Sequence, residues 1–279
     1  MTGTAARDAL DGAITAMTAA GCDTPRLDAE VLLAHALGVR RERLLMDELT
    51  VEGPAVRAFQ DAVRRRSVER EPVAYIVGLR GFRRLELAVD RRVLVPRPET
   101  ELLVEVGLTL APGARVLDLA TGSGAVALAL KDERPDLELT GSDVSPAALE
   151  LARANGRRLG LDVDGLHADL LAGVGDDFDA VLANPPYVAE SARAGLAPEI
   201  LRHEPPVALF AGADGLDVIR ALLPQLSTRR ALATVALEVG AGQAPTVAEM
   251  LRAGGFEAVR SERDLAGIER VVVGERGAR

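Results

Sequence analysis

Asn184-Pro185-Pro186-Tyr187 directly follow Phe178-Asp179-Ala180-Val181-Leu182-Ala183, an apolar run whose pattern predicts a buried strand. A side-chain amide and the adjoining backbone carbonyl, fixed at a strand's end, are hydrogen-bond acceptors, and the two prolines stiffen the turn that carries them. Tyr187 adds a flat ring against which a planar group can lie. Acceptors so placed suit a planar –NH2 group, either an amide or the exocyclic amine of a base. The plainer reading is a turn after a strand, where Asn-Pro is common. Choosing between them depends on the elements upstream.

From Arg115 onward strands and helices alternate. Strands are predicted over Val116–Ala120, Leu137–Ser142, Val163–His167, Phe178–Ala183 and Ala231–Glu238, with two more near Ala258 and Arg270–Val273. Helices run to Glu133 and Leu159, then over Val218–Leu226 and Gln243–Ala253. Such alternation implies an α/β fold with a mostly parallel sheet covered by helices, and ligands bind beyond the carboxyl ends of its strands. Three loops fall at that edge. Asp118-Leu119-Ala120-Thr121-Gly122-Ser123-Gly124 leads into a helix, where glycines admit a ligand close to the backbone and free N–H groups point outward. Asp143 closes a strand where ribose hydroxyls could be held, or it caps the helix after Ser145-Pro146. Asp169 follows Leu166-His167-Ala168, where an adenine amine could be read.

Two cofactors compete for this edge. Gly122-Ser123-Gly124-Ala125-Val126-Ala127 fits the dinucleotide fingerprint, with Asp143 about 20 residues on, so a nicotinamide dehydrogenase is a rival. Asp118 favours S-adenosylmethionine, because a carboxylate ahead of the glycines suits an ammonium group and repels a pyrophosphate. Together with the acceptor site at Asn184, it points to a methyltransferase.

The N-terminal part reads differently. Helical patterns over Thr4–Ala20, Pro25–Leu37 (with Thr24 as cap) and Pro54–Glu69 suggest a helical domain over residues 1–72. Gly78, Gly81 and the alternation of Leu85, Leu87 and Val89 suggest a β-hairpin linker over 73–96, leaving 97–279 as the catalytic domain. The net charge of −9 is unevenly spread, and the acidic C-terminal part argues against wrapping of nucleic acid. A basic cluster between Arg57 and Arg84, including Arg64, Arg65, Arg66 and Arg70, is read as a solvated helix face paired with Asp61, Glu69 and Glu71. One cysteine, Cys22, allows no internal disulfide, and no feature demands a metal. No apolar run reaches the ~18 residues needed to span a bilayer, and the N-terminal stretch lacks a signal-peptide core, so a cytoplasmic protein is expected. With no Trp, the core must be mostly Leu, Val and Ala.

Over nearly its whole length the chain resembles the release-factor glutamine methyltransferases (the PrmC/HemK family). The resemblance is carried by Arg70-Glu71-Pro72-Val73-Ala74-Tyr75-Ile76-Val77-Gly78 with Phe82, by Leu94-Val95-Pro96-Arg97-Pro98-Glu99-Thr100-Glu101, and by Val116 to Gly124. Asn184-Pro185-Pro186-Tyr187, Glu204-Pro205 and Asp214-Gly215 continue it. Many amino-methyltransferases share the Asn-Pro-Pro-Tyr segment, whereas the Pro-Arg-Pro-Glu-Thr-Glu stretch joined to a helical domain is far more specific. Family members usually carry Gly where this chain has Ala120, a change expected to be tolerated if φ stays below zero.

The resemblance implies a class I S-adenosylmethionine-dependent, Rossmann-like domain behind a small helical domain and a β-hairpin. It implies methylation of the glutamine side-chain amide nitrogen in the Gly-Gly-Gln motif of peptide chain release factors, with S-adenosylhomocysteine as the product. Asn184, Pro185 and Tyr187 would then be catalytic, and with Pro186 would hold the substrate amide, Tyr187 lying along its plane. Asp118 and the loop Ala120, Thr121, Gly122, Ser123 and Gly124 would hold the methionine end. Asp143 would take the ribose, Asp169 and Leu170 would border the adenine, and Asn184 would touch the cofactor too. Arg97, Glu99 and Thr100 would shape the rim, while His167 and His203 are read as surface or packing residues. The helical domain would grip the release factor, with the enzyme acting as a monomer. Glutamine methylation of a ribosomal protein, amino-methylation of a nucleic-acid base and cofactor binding without catalysis are the alternatives.

Overall fold

In the computed structural model, residues 4–46 and 48–277 are described. The chain forms two compact units, Met1–Leu79 with Ala197–His203 and Arg80–Leu196 with Glu204–Arg279.

The first unit contains β1 (Thr4–Ala5), α1 (Ala6–Ala19), α2 (Pro25–Leu37), α3 (Arg41–Met46), β2 (Thr50–Val51), α4 (Pro54–Ser67) and α5 (Val73–Val77). Its core gathers Met17, Leu32, Leu33, Phe59 and Ile76. Pro25 opens α2 and Gly38, with φ of 65°, ends it in the left-handed region. Thr24 does not cap this helix by its side chain; its hydroxyl donates to Asp28 Oδ1 at 2.8 Å. The short antiparallel pairing of β1 with β2 is an addition to the expected helices.

The hairpin expected over 73–96 is confined to β3 (Leu79–Phe82) and β4 (Leu85–Ala88). Val73–Val77 forms a helical turn instead, because Gly78 at φ 77° ends it with a backbone bond back to Ala74. The arginine cluster is also not simply a solvated face. Arg64 does bridge Asp61 and Glu69, and Arg65 meets Glu71 at 2.7 Å. Arg66, however, is buried, and binds Asp28 at 2.6 Å and Glu199 at 2.5 Å. Arg70 joins the same Glu199 oxygen at 2.6 Å.

The second unit continues with α6 (Glu101–Leu108), β5 (Arg115–Leu119), α7 (Ala125–Glu133), β6 (Glu138–Asp143), α8 (Pro146–Leu159), β7 (Asp164–His167) and β8 (Ala180–Ala183). Then come α9 (Pro198–His203), which belongs to the first unit, α10 (Asp217–Thr228), β9 (Thr234–Glu238), α11 (Ala244–Ala253), β10 (Ala258–Arg263) and β11 (Glu269–Glu275). The seven-stranded sheet has the order β10-β11-β9-β8-β5-β6-β7. β7, β6, β5, β8 and β9 are mutually parallel, and β11 runs antiparallel to both β9 and β10.

Both faces of the sheet are buried. Leu117, Leu119, Val181, Ala183, Val235 and Leu237 point into one core, while Val116, Ala180, Leu182 and Ala236 point into the other with Leu103 and Val104 of α6. The period-two alternation of strand side chains produces this division. The core is built mainly of Leu, Val and Ala, as expected in a chain without Trp. Strand order reverses between β5 and β8, so the loops leaving these two strands open a crevice at the sheet's carboxyl edge.

Candidate active site

A cavity of about 280 Å³ lies at this crevice. Asp118, Ala120, Thr121, Gly122 and Ser123 from the β5 loop line it, with Asp143 after β6, Asp169 and Leu170 after β7, and Asn184, Pro185 and Pro186 after β8. Residues selected because they terminate strands are thus brought together by the sheet. Leu94 and Pro96 of the Pro-Arg-Pro stretch and Ala168 add apolar wall, with Val93, Val144 and Val207, which no sequence motif announced.

The Asp118 carboxylate organises the floor. Its Oδ2 accepts from Thr121 Oγ1 at 2.6 Å and from the Ala127 backbone N–H at 3.1 Å, tying loop and helix start together. Burial pushes this carboxyl up to about 7, Asp143's negative charge adds to the shift, and the two hydrogen bonds oppose it. Among the described residues no cationic side chain contributes to that balance. Asp143 accepts from Gly122 N at 3.0 Å and Ser145 N at 2.8 Å, and burial raises its carboxyl as well. The cap of α8 is Ser145, which accepts from Ala148 N; Asp143 instead supports the turn before it.

Asn155, fully buried on α8, clamps the same loop. Its Nδ2 donates to Ser123 O and Ala88 O, both at 3.0 Å, and its Oδ1 accepts from Ala88 N at 2.7 Å. The β4 edge and the glycine loop therefore share one side chain.

Two expectations about the loop are corrected. Ala120 has a φ of 59°, in the left-handed region, so its methyl group is carried at a strained position rather than at φ below zero. Gly124 does not line the cavity. It caps α7 at φ 83°, and a Cβ there would lie 3.0 Å from Leu128 and 3.3 Å from Ala152, so close helix packing requires the glycine.

At the opposite wall, Asn184 Nδ2 donates to Thr100 Oγ1 at 3.1 Å. Thr100 lines the cavity, as does Asn184, whereas Tyr187 does not. The Tyr187 ring is expected along a substrate plane but is anchored elsewhere, its hydroxyl donating to Glu238 Oε1 at 3.1 Å. Burial, then the Glu238 charge, raises the Tyr187 hydroxyl well above its usual value. Of the other rim residues, Arg97 is held by both oxygens of Glu204, at 2.7 and 2.8 Å. His167 bonds to Val144 O at 3.1 Å, and His203 to Glu69 O at 2.8 Å. Neither histidine lines the cavity.

Glu238 was not found by sequence reasoning. It closes β9 at 1% exposure, and burial pushes its carboxyl up to about 7. One signal was present: like Asp118, it is an acidic residue near the carboxyl end of an otherwise apolar strand.

The chain matches the Methyltransferase small domain family over residues 98–212 and the PrmC N-terminal domain family over residues 8–78. It is 42% identical to a release factor glutamine methyltransferase of Rhodospirillum rubrum, over 96% of this chain and 84% of the relative. A protein of the same description from Deinococcus radiodurans is 41% identical, over 95% of this chain and 96% of its own. Among solved structures, a methyltransferase from Pyrococcus furiosus superposes with a TM-score of 0.53 at 19% identity, covering 70% of this chain and 90% of that one. The hMettl16 catalytic domain does so with a TM-score of 0.55 at 18% identity, covering 81% and 82%. These two likenesses concern the fold, a Rossmann-like methyltransferase domain.

Proposed function

Because the chain belongs to the release factor glutamine methyltransferase family, we propose that it methylates the glutamine side-chain amide nitrogen in the Gly-Gly-Gln motif of a peptide chain release factor. S-adenosylmethionine, when bound, supplies an electrophilic methyl group on a sulfonium. The residues present fit this cofactor. Asp118 is a buried carboxylate whose surroundings supply no cation, which an ammonium group would complement, and Gly122 leaves open space where a side chain would stand. Asp118 with Ala120–Ser123 would hold the methionine end, Asp143 the ribose, and Asp169 with Leu170 the adenine.

The observation that carries the reading is the Asn184–Thr100 hydrogen bond beside the glycine loop. With Nδ2 committed to Thr100, Asn184 keeps its carbonyl oxygen as an acceptor for a substrate –NH2 group. The Pro185 carbonyl would take the second amine hydrogen. An amide nitrogen is a poor nucleophile because its lone pair is delocalised, and two acceptors on its hydrogens favour the localised form as the new N–C bond develops. Holding the nitrogen in line accounts for much of the rate, since orientation alone can recover roughly 7–11 kcal/mol. The amide proton is lost after the methyl has moved, so no strong base is required beforehand. Tyr187 would act through its anchor on Glu238, stiffening the turn that carries Asn184.

The test is mass spectrometry of an unmodified release factor incubated with the protein and S-adenosylmethionine, beside an Asn184→Ala control. One added methyl on the Gly-Gly-Gln glutamine, absent in the control, is the expected result. No transfer with cofactor binding intact would overturn the substrate, and ribosomal protein and RNA would then be tried.

A further inference from the structure

One stretch of the cavity wall is held from both ends. Pro205, Val207 and Ala208 line the cavity, and Val207 stays 58% exposed. Downstream, the backbone is pinned to the residue after Tyr187. Val188 N donates to Leu209 O at 2.8 Å, and Ala211 N donates to Val188 O at 3.0 Å. Upstream, the Glu204 carboxylate is 2% exposed and receives Arg97 Nη2 on both oxygens. The chain between these anchors has little freedom. Pro205 and Pro206 each fix a φ angle, and Ala208 N closes a tight turn on Pro205 O at 2.9 Å.

Arg97 belongs to a second stretch of the same wall. Val93, Leu94 and Pro96 line the cavity just before it, Arg80 Nε donates to Pro96 O at 3.1 Å, and Thr100 N donates to Arg97 O at 3.1 Å. Two segments whose paired residues lie 107 positions apart are thus joined by one ion pair. The pair is asymmetric. The Arg97 side chain is 31% exposed and can be hydrated without a partner, whereas the Glu204 carboxylate cannot. An apolar residue at position 204 would pack there without that desolvation cost. What the carboxylate adds is a fixed point, because charge-assisted bonds to one nitrogen set where it sits. Pro205 follows directly, so a displaced carboxylate carries the wall with it.

We infer that Glu204 is a positioning residue for the cofactor: its bond to Arg97 fixes the Pro205–Ala208 wall against the bound molecule. This role rests on reading the cavity as an S-adenosylmethionine site, whatever the methyl acceptor is. Glu204→Gln weakens the pair and strands no charge, since Arg97 can turn to water, so the fold should persist while the wall loosens. Arg97→Met removes the same bond but leaves a buried carboxylate without its cation, and should lower thermal stability as well. Arg97→Lys should restore much of the function, because a single nitrogen serves both Glu204 oxygens and an ammonium group can do the same.

The experiment has two arms. Calorimetry with S-adenosylhomocysteine should show affinity about tenfold lower in Glu204→Gln and Arg97→Met, the scale of one charge-assisted hydrogen bond, and within about threefold of wild type in Arg97→Lys. The second arm follows the wall itself. Cys22, the only cysteine of the chain, is buried, so Val207→Cys supplies a thiol that maleimide can reach. S-adenosylhomocysteine should slow its labelling, since Val207 lines the cavity. Adding Glu204→Gln should abolish that protection and speed labelling without ligand at least about threefold, as a locally loosened segment would. Arg97→Met should reproduce the change if Glu204→Gln folds poorly, and Arg97→Lys should reverse it. Wild-type affinity and labelling in folded Glu204→Gln and Arg97→Met would overturn the inference. If the wild-type protein binds no S-adenosyl compound, the cofactor reading falls and labelling without ligand decides: a faster rate in Glu204→Gln supports the positioning of the wall, and an equal rate overturns it.

Discussion

The Asp118 carboxylate accepts the Thr121 hydroxyl at 2.6 Å across the turn made by Ala120, whose φ is 59°. The aspartate thus holds in place a backbone conformation that an alanine resists. A residue with a Cβ loses roughly 1–2 kcal/mol in that region relative to a right-handed one. The Thr121 and Ala127 hydrogen bonds to Asp118 act against that loss.

Ala120→Gly should relieve the strain. Glycine's greater freedom in the unfolded chain offsets about 0.4–1 kcal/mol of the gain. The expected net effect is a stabilisation of roughly 0.5–1 kcal/mol by urea unfolding, with the loop geometry preserved. A loss of stability would show that the alanine methyl makes contacts worth more than the strain.

Asp118 should also make the protein sensitive to pH. Its carboxyl is raised from 3.8 to about 7, so between these values the folded state keeps a proton that the unfolded state has lost. The contribution is fully present below about pH 4 and is lost as pH rises through about 7. Asp118→Asn should flatten the decline in thermal stability over this window, by up to roughly 4 kcal/mol at 1.36 kcal/mol per unit. A bound ammonium would draw the carboxyl back down, so cofactor binding near pH 6.5 should release a proton. Calorimetry in buffers of different ionisation enthalpy would detect it, and equal release by Asp118→Asn would refute the pairing.

What the sequence made legible, and what it hid, follows from chain locality. Asp118, Asp143 and Asn184 could be located because each stands at or near the end of a predicted strand, and a parallel sheet aligns such ends. The Asn184–Thr100 bond was not legible, since 84 residues separate the two, nor was the place of Glu238, which only the β8–β9 register brings level with Asn184. The sign of φ at Ala120 was also hidden, because a residue letter specifies no dihedral angle. The arginine cluster misled for a related reason. A helical wheel shows Arg66 on a charged face, while Asp28 and Glu199, which bury it, come from α2 and α9.

Gly215 supplies a sharper test of the acceptor turn. Its φ is 81°, and a Cβ there would stand 2.2 Å from the Tyr187 carbonyl oxygen and 2.9 Å from the Ala189 nitrogen. Both obstacles are backbone, so the turn after Pro186 would have to move. Gly215→Ala is expected to lower stability by at least about 2 kcal/mol through strain and overpacking, and to reduce methyl transfer more than cofactor affinity. Wild-type transfer by a folded Gly215→Ala protein would show that the Tyr187 turn tolerates displacement.

In the helical unit, Arg66 is the residue on which the buried charges converge. Its side chain is 7% exposed, and Asp28 and Glu199 are 8% and 12% exposed. Burial raises the Glu199 carboxyl, but bonds from Arg66 and Arg70 outweigh it and leave it below its usual value. The stability that Glu199 contributes is therefore present above its unfolded pKa and is lost as pH falls through the depressed folded one. Arg66→Met should cost about 3–5 kcal/mol, since it leaves the buried Asp28 without its cation and Glu199 with Arg70 alone, rather than removing a balanced pair. Adding Glu199→Gln to Arg66→Met should recover part of that loss, because the amide no longer demands a counter-charge. Urea unfolding of the wild type, both single variants and the double variant measures the coupling. A double variant that is additive would mean that Arg66 stabilises the unit by its packing alone.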